Sequence, residues 1–297
     1  MHSRTMDTGT GGSLTVTPPA VPWRPRLIAT DLDRTLLTSG GGISARTRAA
    51  LDAAADAGIR VVPATARNPV GLRHLQPVLG FDGWALCSNG AFGVHLTTRQ
   101  LLFADEIPAA VLTQIISAVD RHVDGVRYAV VRDAGETFVP SEGYADLASF
   151  VDHRRDPATM TGVPHRELAA SPAVKLVLRH ATLSAAELYG TVRQLSDAGE
   201  LDGSGFVVTL SGAPFVEVMA TGVSKAGGLS RLCRHFGVDR TEVLAFGDGL
   251  NDIEMLSWAG RGVAVANALD PVKDAADGIT ASNDDDGVAR VIESVLG

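Results

Sequence analysis

Two aspartates stand two residues apart, directly after a short apolar segment. Asp31 and Asp33 follow Leu27–Thr30, a run that predicts a buried strand. Side chains alternate along a strand, so this spacing starts both carboxylates on the same side. Two like charges held together in the interior are costly unless a cation or protons offset them. The pair therefore indicates one carboxylate as nucleophile and the other as proton carrier, with a divalent metal between them; the alternative is a surface turn with solvated carboxylates.

Two further residues stand where a strand ends or a helix begins. Thr65 ends the predicted strand 59–64, and its hydroxyl and the nearby backbone N–H groups suit a phosphate oxygen. The alternative is a threonine placed there by its β propensity. Lys225 lies in the first turn of the helix predicted over 224–236, where a cation opposes the helix dipole unless it holds an anion. The alternative is a solvated surface lysine.

A second group of oxygen-bearing side chains follows the predicted strand 243–246. Asp248 stands at the end of this strand, and Asn251 and Asp252 begin the next helix. Carboxylate and amide oxygens suit Mg²⁺, a hard cation that usually keeps several waters. A plain Asp-Gly turn is the alternative.

Strands and helices alternate at both ends of the chain, which predicts an α/β fold with a parallel sheet covered on both faces. Strands are expected near 27–30, 59–65, 84–88, 243–246, 262–266 and 278–280. Ligands of such sheets bind outside the carboxyl ends of the strands, so the four sets of residues should meet at one edge. Together they supply a nucleophile, an acid/base, a metal site and phosphate contacts, the groups that phosphoryl transfer needs.

The middle of the chain follows a different pattern and predicts an inserted α+β domain. It contains a hairpin around Thr97-Thr98, an amphipathic helix over 108–123 and a capping box at 184–187. We expect a disordered N-terminal tail over 1–23, a core domain made of 24–91 and 219–297, and an inserted domain over 92–218.

Composition excludes several classes of function. The 297 residues carry a formal net charge of −8, which argues against binding to nucleic acid or to an anionic membrane surface. The two cysteines, Cys87 and Cys233, lie far apart, so neither a disulfide framework nor a zinc cluster is expected. The first 22 residues lack the apolar centre of a signal peptide, and no apolar run approaches the roughly 20 residues that span a bilayer. We expect a cytoplasmic monomer or homodimer.

At these motifs the chain resembles the haloacid dehalogenase (HAD) superfamily, and within it the Cof-type phosphatases with a type IIB cap. The stretches that carry the resemblance are LIATDLDRTLL, VVPATAR, CSNGA, VEVMATGVSKAGGL, VLAFGDGLNDIEML, GVAVANA and ITASNDDDGVARVI. They cover the core from about residue 26 to residue 297, whereas the inserted region agrees in size and position rather than in motif. The resemblance implies a Rossmann-like core, an inserted α/β cap and a Mg²⁺-dependent phosphatase.

The resemblance also implies a role for each matched residue. Asp31 is expected to be the nucleophile and a metal ligand, and Asp33 the acid/base, with its backbone carbonyl at the metal. Asp248 would ligate Mg²⁺, with support from Asp252. The residues expected at the phosphoryl group are Thr65, Ala66, Lys225 and Asn251. Asn89 and Gly90 are expected to line the core near the junction with the cap, and Asn267 is expected to support the motif around Asp248.

Two positions depart from the family pattern, which usually has glycine where this chain has Arg34 and Ala66. A long cation at Arg34 could narrow the pocket or bind a second anionic group of the substrate, and the alternative is an outward, solvated side chain. The methyl group of Ala66 is tolerable if the backbone there keeps a negative φ.

These observations lead to one main hypothesis and two alternatives. The main hypothesis is a Mg²⁺-dependent phosphatase that acts on a small phosphorylated metabolite, a sugar phosphate or a similar phosphomonoester, through an aspartyl-phosphate. The first alternative is a phosphosugar mutase on the same core. The second is a non-catalytic sensor of a phosphorylated metabolite. The sequence does not name the substrate, because specificity is expected in the cap.

Overall fold

The computed structural model describes residues 23–81, 83–153 and 155–297, so the predicted tail, apart from Trp23, lies outside the described residues. The strands formed by these residues are, in chain order, β1 (Leu27–Thr30), β2 (Arg60–Pro63), β3 (Trp84–Cys87), β4 (Phe92–His95), β5 (Leu101–Ala104), β6 (Arg127–Arg132), β7 (Thr137–Pro140), β8 (Lys175–Arg179), β9 (Phe206–Thr209), β10 (Val216–Ala220), β11 (Val243–Gly247), β12 (Arg261–Ala264) and β13 (Gly278–Ile279).

The same residues also form α-helices, which separate the strands from β1 to β3 and from β10 to β13; β3, β4 and β5 follow one another without an α-helix between them, as do β6 and β7, and β9 and β10. These α-helices are α1 (Ala45–Asp56), α2 (Pro69–Arg73), α3 (Gln76–Leu79), α4 (Ala109–Asp120), α5 (Phe150–His153), α6 (His165–Leu168), α7 (Ala185–Asp197), α8 (Lys225–Phe236), α9 (Ile253–Trp258), α10 (Asp270–Ala275) and α11 (Gly287–Leu296). Among the described residues, no helix is both long enough and apolar enough to cross a membrane.

The first sheet is parallel and has the order β13-β12-β11-β1-β2. Strand β1, which lies between β11 and β2, is buried over its whole length, because it has neighbours on both sides and apolar residues on both faces. The chain runs from β1 outwards to β2 and later from β11 outwards to β12 and β13. The direction of winding therefore reverses between β1 and β11, and a crevice for ligands opens there, at the carboxyl ends of the strands.

Strand β3 is not a regular member of the parallel sheet, contrary to the prediction. It makes one isolated parallel bridge, between Leu86 and Ala64, and otherwise pairs with β4 in an antiparallel sheet of order β3-β4-β5. The cause is the turn Ser88–Gly90, whose residues all have positive φ and reverse the chain directly after β3. The predicted hairpin around Thr97-Thr98 joins β4 to β5.

The second sheet is antiparallel, with the order β7-β6-β8-β10-β9. Helix α7 packs on it and begins with the predicted capping box, in which Ser184 accepts from the N–H of Glu187. Because side chains alternate along a strand and Val177 lies opposite Glu217, Lys175 and Glu217 share one face of this sheet. A parallel sheet with crossover helices and an inserted antiparallel sheet with helices confirm the predicted fold class.

The turn after β3 brings Gly90 against the start of α8, which carries Lys225. A Cβ added to Gly90, whose φ is +92°, would lie 2.3 Å from the carbonyl oxygen of Ser224. We expect Gly90→Ala to lower the free energy of unfolding by about 2 kcal/mol or more, since it adds a backbone clash to the cost of a left-handed φ.

The matched control is Gly222→Ala. Gly222 has a φ of +76°, and a Cβ added there meets no atom within 4 Å. Urea denaturation of this variant should show only the conformational cost, about 1 kcal/mol. Equal destabilisation by the two substitutions would show that the close packing of Gly90 on Ser224 is energetically unimportant.

Candidate active site

The amino group of Lys225 joins two acidic side chains from different parts of the core. Lys225 is the first residue of α8, after the N-cap Ser224, and its side chain is fully buried. Its Nζ donates to Oδ1 of Asp31 over 2.7 Å and to Oδ1 of Asp252 over 2.6 Å. Burial by itself lowers the pKa of Lys225, but the two carboxylates outweigh it and raise that pKa. The alternative of a solvated surface lysine is therefore wrong.

The side chain of Asp252 stabilises the loop that carries Asp248. Its Oδ2 accepts hydrogen bonds from the backbone N–H groups of Asp248 and Gly249, over 3.0 and 2.9 Å. Both carboxylate oxygens of Asp252 are thus engaged by groups of this chain. Asp248 is oriented separately, since its Oδ1 accepts from the hydroxyl of Thr35 over 2.8 Å.

Three buried carboxylates form an acidic cluster. Oxygens of Asp31, Asp248 and Asp252 all lie within 4.8 Å of one another. Burial, with the neighbouring charges of Asp252 and Asp248, raises the pKa of Asp31 well above its usual value although Lys225 opposes this. Burial likewise raises the pKa of Asp248.

The cluster suits a divalent metal ion. One lysine does not balance three carboxylates, so the site favours a further cation. Among the described residues, hydrogen bonds engage Oδ1 of Asp31, Oδ1 of Asp248 and both oxygens of Asp252. The second oxygens of Asp31 and Asp248 are therefore the best-placed candidate ligands.

Asp31 and Asp33, the two aspartates of the motif Asp31-Leu32-Asp33 (the DLD motif), have different surroundings. This corrects the expectation of two carboxylates buried side by side. Asp31 is buried, whereas the side chain of Asp33 is 50% exposed. Strand β1 ends at Thr30, and the turn Leu32–Leu36 ends the strand alternation on which that expectation was based.

Arg67 is a residue that the sequence analysis missed. Its guanidinium binds Asp33 in a bidentate manner, with Nε 2.8 Å from Oδ2 and a terminal nitrogen 2.5 Å from Oδ1. Asp33 raises the pKa of Arg67. A signal was present in the sequence, because Arg67 stands two residues after Thr65 at the same strand end.

Hydrogen bonds link Thr65, Asn89 and Asn251. Thr65 is buried, and its Oγ1 accepts from the N–H of Arg67 over 3.1 Å. The backbone N–H of Asn89 donates to the carbonyl of Thr65 over 2.9 Å, and Oδ1 of Asn89 accepts from Nδ2 of Asn251 over 2.9 Å. Residues that follow β2, β3 and β11 thus meet at one edge. Ala66 keeps a negative φ, as its methyl group requires.

Arg34 has a left-handed backbone, with φ +63°, which explains why glycine suits this position. Its side chain is 66% exposed, yet Nε lies 3.9 Å from Oδ2 of Asp248. The side chain is thus solvated and within reach of the acidic cluster. Nδ2 of Asn267 donates to the carbonyl of Arg34 over 2.7 Å, and Oδ1 of Asn267 accepts from the backbone N–H of Asn283 over 2.9 Å. Both hydrogen bonds support the turn after β1 and its neighbour, whereas the expected support was for the motif around Asp248.

Comparison with known proteins agrees with this geometry. The family model for haloacid dehalogenase-like hydrolases matches residues 28–292. The chain is 29% identical to pyridoxal phosphate phosphatase YbhA of Escherichia coli over 277 residues, which is 91% of this chain and 98% of the relative. It is 30% identical to 5-amino-6-(5-phospho-D-ribitylamino)uracil phosphatase YcsE of Bacillus subtilis over 272 residues, 90% of this chain and 94% of the relative.

A solved structure shows the same fold. The HAD subclass IIB sugar phosphatase BT4131 superposes with a TM-score of 0.76 at 24% identity, covering 91% of this chain and 98% of that one. The prediction of an HAD-type phosphoric monoester hydrolase is confirmed at the level of the family and of its named relatives. The sequence motifs, the buried acidic cluster with its lysine, and these matches lead to one conclusion: the chain belongs to the family of haloacid dehalogenase-like hydrolases.

Proposed function

We propose that this chain is a Mg²⁺-dependent phosphatase that hydrolyses a small phosphorylated metabolite, a sugar phosphate or a similar phosphomonoester, through an aspartyl-phosphate on Asp31. The observation that carries the proposal is the buried carboxylate of Asp31, held by Lys225 beside Asp248 in a cluster with excess negative charge. The names of the two relatives, which act on pyridoxal phosphate and on a phosphoribitylamino-uracil, support a small phosphorylated metabolite as the substrate class.

The chemistry divides between the two aspartates. An oxygen of Asp31 attacks phosphorus, the bond from phosphorus to the ester oxygen breaks, and the leaving oxygen takes a proton from Asp33. A water molecule then attacks the phosphorus of the aspartyl-phosphate and gives a proton to Asp33. The bond from phosphorus to the oxygen of Asp31 breaks, so phosphate is released and the carboxylate of Asp31 is restored. Asp33 must carry a proton in the first step. Protonation removes the charge that pairs it with Arg67, which lets its side chain turn to the leaving oxygen.

The remaining residues hold the charges of the reaction. The carboxylates of Asp31 and Asp248 and the backbone carbonyl of Asp33 would ligate Mg²⁺, and Asp252 would support them. When bound, the ion supplies charge neutralisation for the phosphoryl oxygens. The proposed phosphate contacts are Thr65, Ala66, Lys225 and Asn251.

We also propose the predicted division into a core, 24–91 and 219–297, and a cap, 92–218. The cap would close over the substrate and exclude bulk water during the first step. An ion pair between the two parts supports a closed arrangement in this structure: that of Arg73 with Glu136.

The proposed nucleophile gives the first functional test. We expect Asp31→Asn to lower the turnover of p-nitrophenyl phosphate with Mg²⁺ by at least about a thousandfold, because an amide oxygen is a poor nucleophile. The matched control is Asp270→Asn, which changes an aspartate side chain that is 93% exposed. Wild-type turnover in the Asp31 variant would contradict the proposal.

The same assay separates the two alternative functions. With a hexose phosphate as substrate, a phosphatase releases inorganic phosphate, whereas a mutase yields an isomer. A sensor would show thermal stabilisation by phosphorylated ligands and no turnover of any of them.

The acidic cluster predicts stabilisation by Mg²⁺. An ion that binds only the folded state at 100 times its Kd adds about 2.7 kcal/mol to the free energy of unfolding. We expect Mg²⁺ to raise the melting temperature of the wild-type protein and of Asp270→Asn. Asp248→Asn should lose most of this shift because it removes a charged ligand. An equal shift in Asp248→Asn would place the ion elsewhere.

Arg34 predicts a further effect on the metal. Its guanidinium, 3.9 Å from Asp248 but largely exposed, opposes a cation there by up to about 1 kcal/mol. We expect Arg34→Gln to tighten Mg²⁺ binding, measured by titration calorimetry, by about twofold to fivefold. Arg34→Lys keeps the charge and should leave the affinity near that of wild type. Equal affinities in all three proteins would show that Arg34 does not act on the metal site.

A further inference from the structure

A second buried ion pair lies outside the acidic cluster. Lys175 of β8 and Glu217 of β10 are almost completely buried, and Nζ of Lys175 contacts Oε1 of Glu217. A buried pair of this kind often adds no stability over apolar residues of similar size. A functional role therefore explains the presence of this ion pair better than a contribution to stability does.

The pair makes polar contacts with the edge of the first sheet. Nζ of Lys175 donates to the carbonyl oxygen of Ala66 over 2.8 Å. Oε2 of Glu217 accepts from Nδ2 of Asn89 over 3.2 Å. Asn89 is buried and has a left-handed backbone, with φ +56°. Such strained residues collect at functional sites and persist because their surroundings hold them.

The ion pair fixes the orientation of two side-chain amides in succession. The ionised carboxylate of Glu217 only accepts hydrogen bonds, so Asn89 must turn its Nδ2 towards it and its Oδ1 away. Oδ1 of Asn89 can only accept a hydrogen bond, so Asn251 must donate from its Nδ2. The distance from Nδ2 of Asn251 to Oδ1 of Asn89 is 2.9 Å. Oδ1 of Asn251 is thereby turned towards Gly249, in the loop after Asp248.

We propose that Glu217, held by Lys175, is a positioning residue that sets the amide orientation of Asn251 through Asn89. This inference rests on the proposed function, in which Asn251 contacts the phosphoryl group. In the orientation described, the Nδ2 hydrogen that Asn89 does not use is the donor for a phosphoryl oxygen. Glu217 and Lys175 come from the second sheet, whereas Asn89 and Asn251 belong to the edge of the first. The amide of Asn251 is thus oriented for the phosphoryl group only when the second sheet lies against the edge of the first sheet. Closure of the cap and orientation of this phosphate contact are therefore coupled.

Glu217→Gln tests the chain of hydrogen bonds with almost no change in shape. Lys175 takes the only acceptor oxygen of the new amide, so the amide nitrogen faces Asn89. Asn89 then turns its Oδ1 to the introduced glutamine and its Nδ2 to Asn251, and Asn251 must turn over as well. We expect kcat/KM for p-nitrophenyl phosphate to fall by about tenfold or more.

The double variant N89D/E217Q restores the order of donors and acceptors. The nitrogen of the introduced glutamine donates to the introduced aspartate, this aspartate accepts from Nδ2 of Asn251, and the cluster again holds one lysine and one carboxylate. We expect kcat/KM to return to within about threefold of wild type, because the two changes compensate each other. A double variant that regains the wild-type melting temperature without regaining kcat/KM would overturn the proposal, as would wild-type kcat/KM in Glu217→Gln.

A second readout does not depend on turnover. The side-chain NH₂ signals of Asn251 are identified by ¹⁵N NMR as those that vanish in Asn251→Asp. We expect one of their hydrogens to be protected from exchange in the wild type and in the double variant, and unprotected in Glu217→Gln. Equal protection in all three proteins would overturn this inference. Absence of phosphatase activity in the wild-type protein would contradict the proposed function. The exchange measurement on the side chain of Asn251 would still test the orientation of its amide in that case.

Discussion

The structure of the site depends on one buried ammonium group, that of Lys225. It binds Asp31 directly after β1 and Asp252 directly before α9, and these two residues lie more than half of the chain apart in sequence. Removing one partner of a buried ion pair typically costs about 3–5 kcal/mol, because the other charge stays unpaired. Lys225 therefore fixes α8, the end of β1 and the loop of Asp248 relative to one another.

Burial gives the two aspartates of one motif different surroundings, which suit the different roles proposed for them. Asp31 lies inside, where burial and the neighbouring carboxylates raise its pKa, so that its ionised form is favoured by a cation bound beside it. Asp33 lies half-exposed and paired with Arg67, in contact with solvent that can deliver and remove protons. The proposed roles, a nucleophile held beside a metal and a proton carrier that exchanges protons with solvent, need these opposite surroundings. The sharp turn after Thr30 provides both within three residues.

Local sequence signals predicted most of the core, because each depends on residues close together in the chain. The apolar run before Asp31, the helix predicted over 224–236 and the oxygen-bearing side chains after the strand 243–246 are of this kind. The reversal of winding between β1 and β11 explains why they meet. The pairing of Arg67 with Asp33 and of Glu217 with Asn89 could not be predicted in this way. Both depend on how distant segments pack. The antiparallel course after β3 was likewise hidden, because it rests on positive φ at Ser88 and Asn89, which side-chain patterns do not reveal.

The central claim is that Asp31 is covalently phosphorylated during turnover. Its most direct test is rapid acid quenching of the enzyme with substrate and Mg²⁺, followed by mass spectrometry of the peptides. The account predicts the added mass of one phosphoryl group on the peptide that contains the DLD motif, assigned by fragmentation to Asp31, and its loss in Asp31→Asn. A phosphoryl group assigned to another residue, or full turnover by Asp31→Asn without any adduct, would contradict it.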